Sequence, residues 1–514
     1  MIMKDKLQYP AQVQRWGMFE LTVQGPDAGN PYVDQSVDAV FSCAGEKVQV
    51  KGFYDGDGIY KVRFMPSFEG EYAFNLTASF APQASGQFVV TKASTGNHGP
   101  VRVANTWHFA YEDGTPYYSI GTTCYVWTWQ NDAVIANTLE TLRNNAFNKI
   151  RFCVFPKHYD YNLTEPRSYP YEGVPMDSSV LTPENFYQYT GKTEGNTWDF
   201  TRFNPRHFRH LDKCIEHLQE MGIEADLILL HPYDRWGFSR MSREDDERYI
   251  RYMTARYSAY RNVWWSLANE YDLMSAKTLS DWEHIAATIC ATDPYHHLRS
   301  IHNCAHFYDH HRPWITHCSI QRQDLYKSAE LVSSWREQYR KPVVLDEICY
   351  EGDIQHGWGN ISGEELVRRF WEAALRGGYP GHGETYLNHQ DLLWWSHGGI
   401  LHGESHPRFA FLLDILMQTP GVGLCQSRHA GWDELCGEPQ EFRHRGSYYL
   451  YYYGFMRPSF RDYRMEENQR YEVHVLDTWE MTDTLVGIYS GSFRIQLPGK
   501  PFMAVQIKRV DGNN

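Results

Sequence analysis

The chain has 514 residues, 42% hydrophobic and 22% charged, the balance of a folded globular protein with two to four cores. A formal charge of −14 repels a phosphate backbone and no Lys/Arg-rich run offsets it locally, which excludes nucleic acid as a partner. No apolar stretch approaches the roughly 20 residues of a membrane span, MIMKDKLQYPAQVQRWG lacks the apolar centre of a secretory signal, and the ten cysteines are scattered, so the expected setting is the cytoplasm.

From Val13 to about Lys92, short alternating apolar runs are broken by turn residues, and DGDG (Asp55–Gly58) separates two of them as a hairpin turn does. Residues 1–93 are expected to form an Ig-like β-sandwich, with Ser94–Pro100 as linker. Residues 94–428 alternate apolar runs with helical patterns, the signature of βα units around a parallel sheet. In the clearest unit, Phe208, Leu211, Ile215, Leu218 and Met221 recur at helical spacing, Gly222 can end the helix, and IEADLILL then leads to His231. Further candidate strands are Tyr117–Thr123, Asn148–Phe155, Val263–Asn269, Leu298–Asn303, Ile315–Gln321, Pro342–Glu347 and Gly381–Tyr386. With the His231 strand they make eight, which predicts an α/β fold of the (β/α)8 TIM-barrel type with its chemistry at the carboxyl ends of the strands. The segment Pro156–Pro205, rich in Tyr, Pro and Asn, is long for a βα loop and is expected to fold over that face. Residues 429–514 return to short strands such as SYYLYYYGF and RYEVHVLD, predicting a C-terminal all-β sandwich domain.

Two carboxylates fall at barrel strand ends: Glu270 in NVWWSLANEYD after the fourth, and Glu347 in KPVVLDEICYEG at the end of the seventh. Cleaving a glycosidic bond requires one acid to protonate the departing oxygen and a second group to attack or to activate water, and two Glu side chains can divide those roles. An isolated Glu in a barrel is ordinarily solvated or ion-paired, the role expected of Asp346, Glu351 and Glu384; it is the ordered pair that singles out Glu270 and Glu347. The 24 histidines include His310-His311 and His317, but no His-x-His or HExxH pattern occurs, so neither a catalytic metal nor a cofactor is expected.

With the strands assigned, the chain resembles the retaining glycoside hydrolases of clan A. It is most similar among them to apiosidase-like glycosidases, in which a β-sandwich precedes the barrel and another β domain follows; GTTCYVW, HPYDRWGF and ICYEG carry the likeness. The resemblance implies Glu270 as general acid/base, Glu347 as nucleophile and Asn269 as partner of the sugar 2-hydroxyl. It also implies that Arg151, in KIRF, holds Glu347 ionised while the less compensated Glu270 keeps its proton longer. Where clan members set a His or Tyr against the nucleophile after strand six, this chain has Gln321; the tryptophan expected beneath the sugar after strand eight is Trp394 or Trp395. His231 at the third strand end, His302 and Asn303 at the fifth, and Tyr125 and Trp127 after the first are further sugar-contact candidates, each with a packing role as alternative. The implied reaction is hydrolysis of a β-glycosidic bond in small oligosaccharides or glycosides, with retention by double displacement. The rival reading is a carbohydrate-binding barrel without turnover. Expected partners are a carbohydrate substrate and, at most, further copies of the chain as a homo-oligomer.

Overall fold

Eight parallel strands form the centre: β1 (Gly121–Thr123), β2 (Lys149–Cys153), β3 (Glu224–Leu230), β4 (Val263–Ala268), β5 (Arg299–Ser300), β6 (Cys318–Gln321), β7 (Val343–Glu347) and β8 (Tyr379–His382). They come from a computed structural model that describes residues 7–510 except 45, 323, 328 and 389–391. The sheet order is β5-β4-β3-β2-β1-β8-β7-β6, and a parallel bridge from His302 to Ser319 joins the two end strands, closing a (β/α)8 barrel. Every residue of β2, β3 and β4 is buried, as parallel strands covered on both faces must be. The charged exceptions are paired inside: Lys149 Nζ lies 2.9 Å from Asp226 and 2.8 Å from Asp346.

The helix before β3 spans Pro205–Glu220 for the reasons its sequence suggests. Asn204 caps it by accepting from Arg206 N, Pro205 opens it, and Phe208, Leu211, Ile215 and Leu218 form its buried stripe. Gly222 follows with φ +72°, a left-handed turn suited to glycine.

Several expected strands are shorter than their apolar runs: Asn148–Phe155 keeps Lys149–Cys153, Ile315–Gln321 keeps Cys318–Gln321, and three others change more. Tyr117–Thr123 breaks because the Asn148 side chain takes the ladder groups in its middle, accepting from Ile120 N (2.8 Å) and donating to Tyr118 O (2.7 Å). Only Gly121–Thr123 joins the barrel; Pro116–Tyr117 pairs with His108–Tyr111, which pairs with Val101–Ala104. This small antiparallel sheet covers the amino-terminal end of the barrel, where the Phe109 ring meets Trp264 at 5.3 Å and Tyr379 at 5.0 Å. The eighth strand ends at His382, and Glu384–Thr385 pairs instead with Glu351–Gly352. The fifth keeps only Arg299–Ser300 plus the His302 bridge.

Ahead of the barrel, a four-stranded and a five-stranded sheet pack face to face, with Phe41 stacked on Phe64 (4.1 Å) and Phe19 on Phe88 (3.9 Å) between them. Asp55–Gly58 turns the chain from Phe53–Tyr54 into Ile59–Phe64, with Gly56, Asp57 and Gly58 all at positive φ. This unit meets the barrel through buried charges: Arg63 to Asp212 (2.8 Å), and Arg256 to Asp55 and Asp212 (both 2.7 Å). After the barrel comes a six-stranded antiparallel sheet whose first strand is Leu424–Gln426, ahead of position 429, together with the pair Phe460–Arg464 and Ser492–Gln496. Trp371 of the barrel helix Gly363–Leu375 stacks on Tyr452 of that sheet.

Candidate active site

β4 stops at Ala268, yet the chain beyond it stays tied to both neighbours: Asn269 N donates to Leu230 O and Tyr271 N to His302 O, each at 3.0 Å. Between those anchors Glu270 takes φ +47°, a left-handed conformation costing a non-glycine residue on the order of 1–2 kcal/mol. Glu347 ends β7, in register with Gln321 of β6. Both glutamates line one cavity of about 410 Å³ at the carboxyl end of the barrel.

A continuous hydrogen-bonded chain runs between them. The Tyr125 hydroxyl donates to Glu347 Oε1 and lies 3.3 Å from Asn269 Oδ1. Arg151, fully buried below, donates from Nη2 to Asn269 Oδ1 (2.8 Å) and from Nη1 to the Tyr125 hydroxyl (3.2 Å) and Glu347 Oε1 (3.3 Å). Asn269 Nδ2 donates to Glu270 Oε2 (3.3 Å), and the Tyr233 hydroxyl donates to the same oxygen. Burial and the facing Glu270 carboxylate push Glu347 up to about 7, while Arg151, Tyr125 and Lys157 pull it down. Arg151 thus lies against Glu347 as expected but is outweighed, so Glu347 still carries a proton in mildly acid solution.

Of the sequence candidates, Tyr125, Gln321 and Trp395 line the cavity beside the two glutamates, and Asn269 and Arg151 support them from beneath. The others lie elsewhere. His231 is buried under the face with Nε2 3.4 Å from Phe155 O, and burial drives its ring down to about 3, leaving it neutral. His302 is fully buried in the barrel interior. Asn303 ties β5 to β6, donating to Gln321 O (2.9 Å) and accepting from Gln321 N (3.3 Å). Trp127 packs edge-on against Phe152. Trp394 turns into the core and donates to Thr122 Oγ1 (2.8 Å), so of the tryptophan pair it is Trp395 that faces the cavity. Among the described residues no hydrogen bond joins the Gln321 side chain to Glu347; the aromatic donor to that carboxylate comes from the end of β1 instead. Asp346 belongs to the Lys149 cluster, while Glu351 and Glu384 accept backbone N–H groups of residues 402–405.

Sequence reasoning missed Lys157, Tyr159, Tyr350 and Trp358, which also line the cavity. Lys157, Tyr159 and Tyr350 follow a barrel strand within six residues, Lys157 and Tyr159 opening the long loop after β2, and that position is the one signal that could have found them; Trp358 lies eleven residues beyond β7. Rings of Trp358 and Trp395 (5.1 Å), Tyr159 and Trp395 (5.7 Å) form an aromatic wall. Among the described residues no three His, Cys, Asp or Glu side chains converge as a metal ion would require.

Residues 104–406 match the family described as "Apiosidase-like, catalytic domain", and residues 12–80 and 432–508 match two domains of unknown function, DUF5060 and DUF5605. The chain is similar to a protein from Bacteroides vulgatus ATCC 8482, provisionally described as a glycoside hydrolase: 36% identity, 98% of this chain and all of the other covered, TM-score 0.89. A second solved structure, a glycoside hydrolase at 14% identity, covers 81% of this chain and 98% of its own with a TM-score of 0.58, and shares the fold. No curated protein matches. A closed (β/α)8 barrel with these relatives is that of a glycoside hydrolase. Within that class the chain belongs to the family with an apiosidase-like catalytic domain.

Proposed function

We propose that this protein hydrolyses a β-glycosidic bond with retention, Glu347 attacking the anomeric carbon to form a glycosyl ester and Glu270 first donating, then removing, a proton. The supporting observation is that carboxylates from β4 and β7 line one cavity and are linked through Asn269 and Arg151. Tyr125 and Arg151 supply donors that a nucleophilic carboxylate needs, and Asn269 Nδ2 stands beside the acid/base where a sugar 2-hydroxyl would arrive. Faces of Trp395, Trp358 and Tyr159 suit the apolar side of a sugar ring, and a cavity of about 410 Å³ favours small oligosaccharides or glycosides over polymers.

The test is a panel of aryl glycosides, pentosides included, with Glu347→Gln and Glu270→Gln alongside the native protein. Turnover by the native protein, its loss in both variants with sugar binding kept, and a 2-fluoro sugar adduct on Glu347 are expected. EDTA should leave the rate unchanged. Sugar binding without turnover anywhere on the panel would refute the catalytic reading in favour of a binding barrel.

A further inference from the structure

Lys157 is only 2% exposed, and among the described residues its ammonium has neither an ion pair nor a hydrogen bond. It lies instead over four aromatic faces: Tyr125 at 3.6 Å, Tyr233 at 4.4 Å, Trp395 at 4.5 Å and Tyr159 at 4.9 Å. Two of those rings carry the hydroxyls that donate to Glu347 and Glu270. An apolar side chain of the same length would fill this box without the cost of desolvating a charge, so the ammonium serves the site rather than the fold. We propose that Lys157 is a positioning residue for the catalytic pair, its ammonium gripping the Tyr125 and Tyr233 rings so that their hydroxyls stay aimed at Glu347 and Glu270. The proposal rests on the reading of those glutamates as the reacting groups.

The charged and titratable groups around Lys157 come from four strand ends and the helix Trp394–His397. Burial lifts the Cys153 thiol to about 12 and drives the His231 and His397 rings down to about 3 and about 4, so all three are neutral near pH 7. Arg151 remains as its charged neighbour, and the carboxyl groups of Glu270 and Glu347 face it. Burial draws the Lys157 ammonium itself down to about 8, against the pull of Glu270 and Glu347. As a cation, Lys157 favours the ionised form of Glu347.

Lys157→Met keeps the length and removes the charge; Lys157→Arg keeps a charge that does not titrate. With the best aryl glycoside, Lys157→Met is expected to lower kcat about 30-fold or more, hold KM within about threefold, and move the acid limb of kcat/KM upward by about one pH unit. Its melting temperature should not fall; if it does, Lys157→Gln repeats the measurement. Lys157→Arg should recover part of kcat and push the basic limb upward. Native kcat with an unmoved acid limb in the uncharged variants would overturn the proposal, as would a loss that follows melting temperature without any change of limb. Should Glu347→Gln and Glu270→Gln retain turnover, the assignment of the glutamates is what fails, a result separate from either.

Discussion

Tyr125→Phe removes one oxygen from the centre of the site and leaves the ring, so its effect can be worked from the contacts. The lost hydroxyl donates to Glu347 Oε1 and accepts from Arg151 Nη1 at 3.2 Å; the ring remains packed beneath Lys157 and against Trp395. A hydrogen bond to a charged group contributes about 1.5–3 kcal/mol, and if the bond is made to the attacking carboxylate in the transition state, kcat/KM should fall about 10- to 150-fold. The hydroxyl also pulls Glu347 down from where burial and Glu270 would set it, so without it the carboxyl ionises above its present value of about 7. The acid limb of kcat/KM should therefore move to higher pH, measured with an aryl glycoside from roughly pH 5 to 9. Tyr233→Phe is the control: its hydroxyl serves Glu270, so it should slow turnover without raising the acid limb as far. A loss under about threefold with both limbs in place would refute the reasoning, because Glu347 would then be neither the nucleophile nor the group that Tyr125 tunes.

Burial lifts Glu224 from 4.5 to about 8, only partly opposed by the Trp264 Nε1 donor at 2.8 Å. The folded chain thus holds a proton that the unfolded chain loses above pH 4.5; stability is complete below that and declines as pH rises toward 8, by at most ~4–5 kcal/mol at about 1.4 kcal/mol per pH unit. Glu224→Gln should flatten that part of the urea-denaturation profile without abolishing the slope, since Glu384, lifted by burial to about 8, has the same sign. Lys149→Met leaves Asp226 and Asp346 buried without their shared cation and should cost about 3–5 kcal/mol by the same assay. Trp395→Ala and Trp394→Ala both empty buried space and should lower stability by about 3–5 kcal/mol, but only Trp395→Ala, which strips a wall of the cavity, should also raise KM.

Much of the barrel was legible because parallel strands covered on both faces must be apolar throughout. VWWSLA and EADLILL could hardly be anything else, and the helix before β3 carried its cap, its stripe and its terminal glycine in plain view. Tyr117–Thr123 was misread for an equally physical reason. Its apolar run continues through both halves, and what divides them is a side chain about thirty residues later, Asn148, whose amide occupies the ladder groups at 118–120. Periodicity reports which face a residue presents; it carries no record of a distant side chain that substitutes for a neighbouring strand.

The site divides along the same line. Glu270 and Glu347 could be found because a barrel places its chemistry at strand ends and strand ends are local features. Trp394 and Trp395 could not be told apart, since neighbours on one helical turn point about 100° from each other and only Thr122, on β1, decides which one turns inward. Nor did position predict the donor to Glu347. It was sought after β6, the strand adjacent to β7, but Gln321 stands there and the hydroxyl arrives from Tyr125 beyond β1. Closure of the barrel explains how both answers are sterically open: around a ring, every loop on the carboxyl face borders the axis, so a donor can reach the same carboxylate from any of several strands. Chemistry constrains the donor's kind and direction, while its place in the chain is constrained only by reach, which is why Lys157, whose one local signal is its place at the start of a long loop, packs over the two tyrosines whose hydroxyls serve the glutamates.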